Sequence, residues 1–376
     1  MRRMVLFALL FLVGAPASAN DSWSAERLKR IEAHVEALRA AGSFNGSILV
    51  ARGDKVVISK GYGFADLENS VPLRSNSVFR LGSLTKPVTA SAVLMAVEAR
   101  KIGLETPLCS VLDYCLASWK AVTIAQLLSH TSGIKDHFGD LEAVPVEQTV
   151  AELKRVLSRA DPAEPLKAPA GSNYAYSNFN YVLLGAVLES VYKRPWHETI
   201  VQTVSHAAGA PSLDYDDVFA ILPHRVRGYD RTKSGAFKNI AYKDHAAYAA
   251  GGLRATIEDF FRWSRASLGG KLFSPGLRDR MLTPRIGRYG YGWQIAEFFG
   301  ERAYNHNGGI NGFSTHIVHY PASDATIIVF SNVESDIAQL VACDVAGLLL
   351  GYHERKGTAA DRISRLRPEQ RCGLGR

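Results

Sequence analysis

The chain is poor in cysteine, with four in 376 residues, and its charged fraction is low at 21%. Four cysteines are too few for a scaffold built on disulfides, and no Cys or His pair has zinc-site spacing, so neither a metal centre nor another cofactor is expected. The modest charge argues against a disordered, self-repelling chain. A dense basic block with interleaved aromatics is also missing. The formal net charge of +8 arises from 44 basic and 36 acidic residues scattered along the sequence, so nucleic acid is not an expected partner. No apolar run approaches the roughly 18 residues needed to cross a bilayer, and there is no internal repeat or low-complexity linker. What remains is 47% hydrophobic residues with 32 Gly and 15 Pro along the chain. That composition describes one large domain or two intimately joined ones around a sizeable core.

Both ends are set apart by composition. Met1-Arg2-Arg3 leads a wholly apolar stretch from Met4 to Val13, followed by Gly14, Pro16 and the small residues Ala17-Ser18-Ala19. This reads as a signal peptide over 1–19, and the product is expected to be exported, periplasmic or secreted, without an integral membrane segment after cleavage. An oxidising compartment permits disulfides; Cys109 and Cys115, closing a short loop around Asp113-Tyr114, are the first choice of pair, with Cys343 and Cys372 left over. Residues 353–376 form a basic, solvated tail.

Between the ends, Glu26 to Ala40 has the spacing of an amphipathic helix, and Gly46 to Ala51 with Val56 to Ser59 reads as a hairpin. From Ser83 the chain turns helical, and helical patterns dominate to about Arg225. Thr123 with Gln126 makes a capping box, Tyr181 to Val191 is a second apolar helix, and Thr256 with Asp259 caps another. Tyr291 to Ala296, Phe313 to Tyr320 and Ala325 to Phe330 are strand-like, and Ser335 to Leu350 is a closing helix. Strands at both ends and helices between imply a discontinuous α/β sheet domain, 20–99 with 226–352. The sheet is central and mostly antiparallel, flanked by helices, and 100–225 is an inserted all-helical lobe. The lobes are expected to share a cleft.

Three constellations carry chemistry. Ser83-Leu84-Thr85-Lys86 places a hydroxyl and an amine on one face at a helix start, where a serine gains a base and an oxyanion gains backbone N–H groups. Two other Ser-x-x-Lys matches, Ser132 to Lys135 and Ser190 to Lys193, fall in a turn and in a helix's last turns. Tyr176-Ser177-Asn178 offers a phenol whose pKa a lysine ammonium could lower, making it a proton shuttle, and an amide to position lysine and substrate. His306-Asn307-Gly308-Gly309, just before a strand-like run, offers an imidazole for a substrate carboxylate and an edge-strand backbone N–H for an oxyanion. Lys233-Ser234-Gly235 is a weaker version of the third, with no clear strand after it.

In this order the motifs resemble the penicillin-recognising serine hydrolases: class C β-lactamases, D-Ala-D-Ala carboxypeptidases, D-aminopeptidases and esterases of that fold. Further phrases share the resemblance, among them Leu127 to Gly133, Ala250-Gly251-Gly252-Leu253, Tyr291-Gly292-Trp293 and Gly308 to Phe313, and it runs from about Phe44 to Leu349. It implies a β-lactamase/transpeptidase-like α/β (α+β) fold with Ser83 as acylated nucleophile and Lys86 and Tyr176 as proton-transfer pair. Asn178, His306 and Gly308 would position substrate, and the N–H groups of Ser83 and Gly309 would form the oxyanion hole. His306 replaces the lysine of the usual Lys-Thr-Gly. A permanent cation is thereby lost, which argues against an efficient β-lactamase. The expected substrate is a small molecule or short peptide. A D-amino-acid peptidase or carboxypeptidase leads, a carboxylesterase follows and a class C-like β-lactamase is third. A noncatalytic sensor of cell-wall fragments is the reading from another class, and the intact catalytic set speaks against it.

Overall fold

Strands from early and late in the sequence meet in one sheet. The structure, a computed structural model, describes residues 23–240 and 247–351; the expected signal peptide, the basic tail and Cys372 lie outside the described residues. Six strands lie in the order Gln294–Phe298, Glu301–Ile310, Phe313–Tyr320, Ala325–Ser331, Gly46–Arg52, Lys55–Tyr62. Every neighbouring pair is antiparallel, and the closing register runs from Gly46 opposite Ser331 to Arg52 opposite Ala325.

The apolar runs of the central strands follow from burial on both faces. Ile48, Val50, Ile327 and Val329 face the helices Ala25–Ala40 and Ile337–Leu349 and pack with Ile31, Val35 and Val341. Leu49, Ala51, Ile328 and Phe330 face the opposite way, into the larger core with Phe79, Phe260 and Trp263. Ring contacts at 5.6 Å from Phe330 to both Phe79 and Phe260 anchor that side.

Two helices on the larger core's side are apolar nearly all round, which places them inside it. Thr85–Glu98 buries every residue from Thr85 to Leu94, and Asn178–Tyr192 buries every residue from Phe179 to Leu188. The capping box at Thr123 and the cap of Asp259 by Thr256 form as the sequence predicts. Cys109 and Cys115 are joined by a disulfide, with their Cα atoms 5.4 Å apart. Among the described residues no helix is long and apolar enough to cross a membrane.

Two strands differ from expectation. The strand expected from Tyr291 starts at Gln294, because Gly292, with φ +77°, turns the chain first. Glu301–Ile310 is a full strand that polar composition conceals, so His306-Asn307-Gly308-Gly309 lies within a strand rather than before one. Nor is it a simple edge strand. Phe313–Tyr320 pairs along 304–310, whereas Gln294–Phe298 covers only 301–305, so among the described residues one side of 306–310 lacks a strand neighbour.

Candidate active site

Ser83 stands at a turn that the surrounding backbone fixes closely. Gly82 takes φ +54°, in the left-handed region, and a Cβ there would lie 2.9 Å from the Gly309 backbone, so both conformation and space call for glycine. Gly308 is equally constrained: a Cβ would fall 2.2 Å from Leu81 O. Thr315 Oγ1 donates to Leu81 O at 2.7 Å, and Leu81 N–H donates to Leu253 O at 2.9 Å. These bonds tie the Ser83 turn to the strands Phe313–Tyr320 and Leu253–Thr256, with Gly308 and Gly309 of Glu301–Ile310 close beside it. Ser83 itself is half-buried between buried neighbours, whereas a side chain at Gly309 would meet open space.

Lys86, one helical turn on, is fully buried. Its three N–H groups face Ser83 Oγ at 2.9 Å, Asn178 Oδ1 at 2.7 Å and Ala250 O at 2.8 Å. Thr89 Oγ1 fixes the third partner's segment by donating to Ala249 O. Burial pulls the Lys86 amine down to about 7, with the Asp136 charge acting the other way. Near neutrality a substantial fraction is therefore the free amine. Two N–H groups then remain for the two carbonyl oxygens, and the lone pair faces Ser83 Oγ as a general base requires.

Tyr176 donates its O–H to Ser83 Oγ at 3.1 Å, and Lys86 Nζ lies 5.0 Å from its ring centroid. The residue is 40% exposed. Burial raises its pKa, against the expectation that the ammonium lowers it; the hydrogen bond to Ser83 opposes burial without overcoming it. Tyr176 is thus a phenol that donates, not a phenolate that accepts.

His306 departs furthest from expectation. It is wholly buried, and burial, helped by the Lys86 charge, lowers its pKa to about 3. Nδ1 lies 2.7 Å from Asn307 O and so carries the proton, leaving Nε2 to accept from Tyr289 O–H at 2.9 Å. A neutral ring with both nitrogens engaged is not a cation for a substrate carboxylate. It ties the strand to Tyr289 instead.

The remaining candidates separate. Ser132 Oγ donates to Asn180 Oδ1 while Lys135 pairs with Glu164, and Ser190 Oγ donates to Val111 O. Lys233-Ser234-Gly235 forms the exposed turn between strands Tyr229–Arg231 and Phe237–Asn239. Sequence reasoning missed Tyr289, Asp136 and the part played by His130. His130 Nδ1 accepts the Ser177 N–H at 3.1 Å, and its ring lies 4.4 Å from that of Tyr176, fixing the Tyr176-Ser177-Asn178 turn. The Leu-Ser-His-Thr-Ser-Gly phrase was the available signal.

The beta-lactamase family profile matches residues 31–351. The chain belongs to the beta-lactamase family. It is 26% identical over 341 residues to a penicillin-binding protein of Bacillus subtilis (strain 168), covering 82% of this chain and 72% of that one. It is 25% identical over 367 residues to a D-aminopeptidase of Gluconobacter oxydans (strain 621H), covering 90% of this chain and 65% of the relative. The crystal structure of a penicillin-binding protein from Bacillus halodurans superposes with a TM-score of 0.71 at 25% identity, over 85% of this chain and 99% of that one. As a member of this family of serine hydrolases, the chain has the β-lactamase/transpeptidase-like fold that its motifs imply. Within that family, the Ser83, Lys86, Tyr176 and Asn178 cluster is the place to look for chemistry.

Proposed function

We propose that the chain hydrolyses an amide bond of a short D-amino-acid peptide or D-amino-acid amide through an acyl-Ser83 intermediate. The observation that carries this is the convergence of Lys86 Nζ and Tyr176 O–H on Ser83 Oγ, at 2.9 and 3.1 Å. The neutral Lys86 amine takes the Ser83 proton as Oγ attacks the acyl carbon, and the oxyanion is held by the N–H groups of Ser83 and Gly309. As the tetrahedral intermediate collapses, Tyr176 gives its proton to the departing amine and regains one from the Lys86 ammonium. Water then attacks the acyl-enzyme, its proton returning by the same groups, and frees Ser83.

The neutral state of His306 bears on substrate choice. A carboxypeptidase or β-lactamase substrate presents a carboxylate that gains most from a fixed cation, and His306 does not supply one. Aminopeptidase or amidase chemistry is therefore favoured, in keeping with the similarity to a D-aminopeptidase. The same observation favours a carboxylesterase as the second reading. The Cys109–Cys115 disulfide supports work outside a reducing cytosol, in line with export.

A panel of D-alanine p-nitroanilide, D-phenylalanine amide, an N-acylated D-Ala-D-Ala peptide and p-nitrophenyl acetate tests the reading. The free-amine D-amides should be turned over with kcat/KM at least about tenfold above the carboxylate-bearing peptide. Preference for the peptide would overturn the substrate assignment, and turnover of the ester alone would establish the second reading.

A further inference from the structure

Asp136 lies in the loop after the Leu127–Gly133 phrase, on the far side of Asn178 from Lys86. Its Oδ2 accepts the N–H of Asn178 at 3.3 Å and its Oδ1 the N–H of Phe179 at 3.2 Å. These are the first two residues of the helix Asn178–Tyr192, whose N-cap Ser177 accepts from Asn180 instead. The first turn is thus capped twice, once from within the chain's own turn and once from a loop about 40 residues earlier. Asn178 passes this anchoring on, because its side-chain oxygen accepts from Lys86 Nζ at 2.7 Å.

The residues beside Asp136 are held as well. Lys135 Nζ lies 2.9 Å from Glu164 Oε1. The buried His137 ring sits between Asp140 Oδ2 at 3.0 Å and Glu164 Oε2 at 2.7 Å, and packs edge-on at 5.3 Å from Phe179. A carboxylate on a segment gripped at both neighbours, and itself accepting from three N–H groups, those of Phe138, Asn178 and Phe179, has little freedom to leave the helix N-terminus.

We propose that Asp136 is a positioning residue for acylation: it fixes Asn178, and so the amide oxygen on Lys86, and supplies the negative charge that balances the Lys86 ammonium. This rests on the acyl-Ser83 reading. Among the described residues, the titratable groups facing Lys86 are Tyr176 and Tyr181, His130 and His306, and Asp136. Burial raises both phenols and lowers both imidazoles, so these four hold no charge around neutral pH. Asp136 is the carboxylate that favours the ammonium. Its exposure to solvent screens the effect without changing its sign.

The test is the pH dependence of kcat/KM for p-nitrophenyl acetate in wild type, Asp136→Asn, Asp136→Ser, Asp136→Glu and Ser83→Ala. Removing the charge should move the acid limb to lower pH by ~0.5 unit or more, and lower the plateau rate. Asp136→Ser keeps a capping oxygen but no charge and must show the same displacement, so the outcome does not hang on one variant's folding. Asp136→Glu should bring the limb back toward wild type. An unmoved limb in both uncharged variants, with Ser83→Ala inactive, would overturn the Asp136 proposal alone. Turnover retained by Ser83→Ala would overturn the acyl-Ser83 reading and this proposal with it.

Discussion

Lys86, fully buried, holds its Nζ 2.9 Å from Ser83 Oγ, and the other two groups around it are carbonyl oxygens. An amine there is squeezed between desolvation, which favours the neutral form, and three acceptors that suit the ammonium. The balance near 7 leaves both forms populated at neutral pH.

The first prediction is an acid limb in the kcat/KM profile with an apparent pKa near 7, since the base is lost as Lys86 protonates. Lys86→Arg keeps a permanent cation and should lose about 10³-fold or more across the profile. Initial rates on p-nitrophenyl acetate from pH 5 to 9 check both; a flat profile would exclude Lys86 as the base.

Tyr176→Phe removes the O–H that donates to Ser83 Oγ and little else, since the ring keeps its place against His130. We expect kcat on a D-amino-acid amide to fall by about 10²-fold, with KM and the melting temperature nearly unchanged. A smaller effect on p-nitrophenyl acetate is expected as well, because its leaving group needs no proton. Equal losses on both substrates would contradict the proton-donor role.

Gly308→Ala should be damaging without touching a catalytic side chain. The new methyl would meet Leu81 O, a backbone atom that cannot swing aside, so the strand and the Ser83 turn must part. A loss of about 1–3 kcal/mol in denaturant unfolding is expected, together with loss of activity that exceeds it. Gly309→Ala meets open space and should leave stability within about 0.5 kcal/mol of wild type while altering substrate selection.

The fold was legible where one physical cause dominates. Ile48 to Ala51 and Ala325 to Phe330 announce themselves as strands because both faces are covered, and Thr123 and Thr256 announce helix starts because their side chains must satisfy free N–H groups. Glu301–Ile310 was concealed by its polar composition and because Gly308 serves close approach to Leu81 rather than strand propensity. Ser83, Lys86, Tyr176 and Asn178 could be picked out by motif, and the structure brings them together. The charge of His306 and the direction of the Tyr176 shift could not, because burial decides both. Tyr289 and Asp136 acquire their partners only through the tertiary fold.

Buried histidines give a prediction for stability. His306 and His316 are lowered from 6.5 to about 3 and His319 to about 4, chiefly by burial. Below about 6.5 the unfolded chain binds protons that the native state does not, so stability falls as pH falls, by ~1.4 kcal/mol per unit for each such group until its native pKa is reached. Urea unfolding at pH 7, 6 and 5 should show a steepening loss. Unchanged stability across that window would mean that these rings are not held neutral in the native protein.

The central claim is that Ser83 is the nucleophile, and intact-mass spectrometry tests it most directly. Wild type and Ser83→Ala would be incubated with benzylpenicillin and with p-nitrophenyl acetate, and each adduct mapped by peptide digestion. The account predicts that any acyl adduct sits on the Ser83 peptide of wild type, that at least one reagent gives one, and that Ser83→Ala is neither labelled nor active. An adduct or undiminished turnover in Ser83→Ala would contradict it.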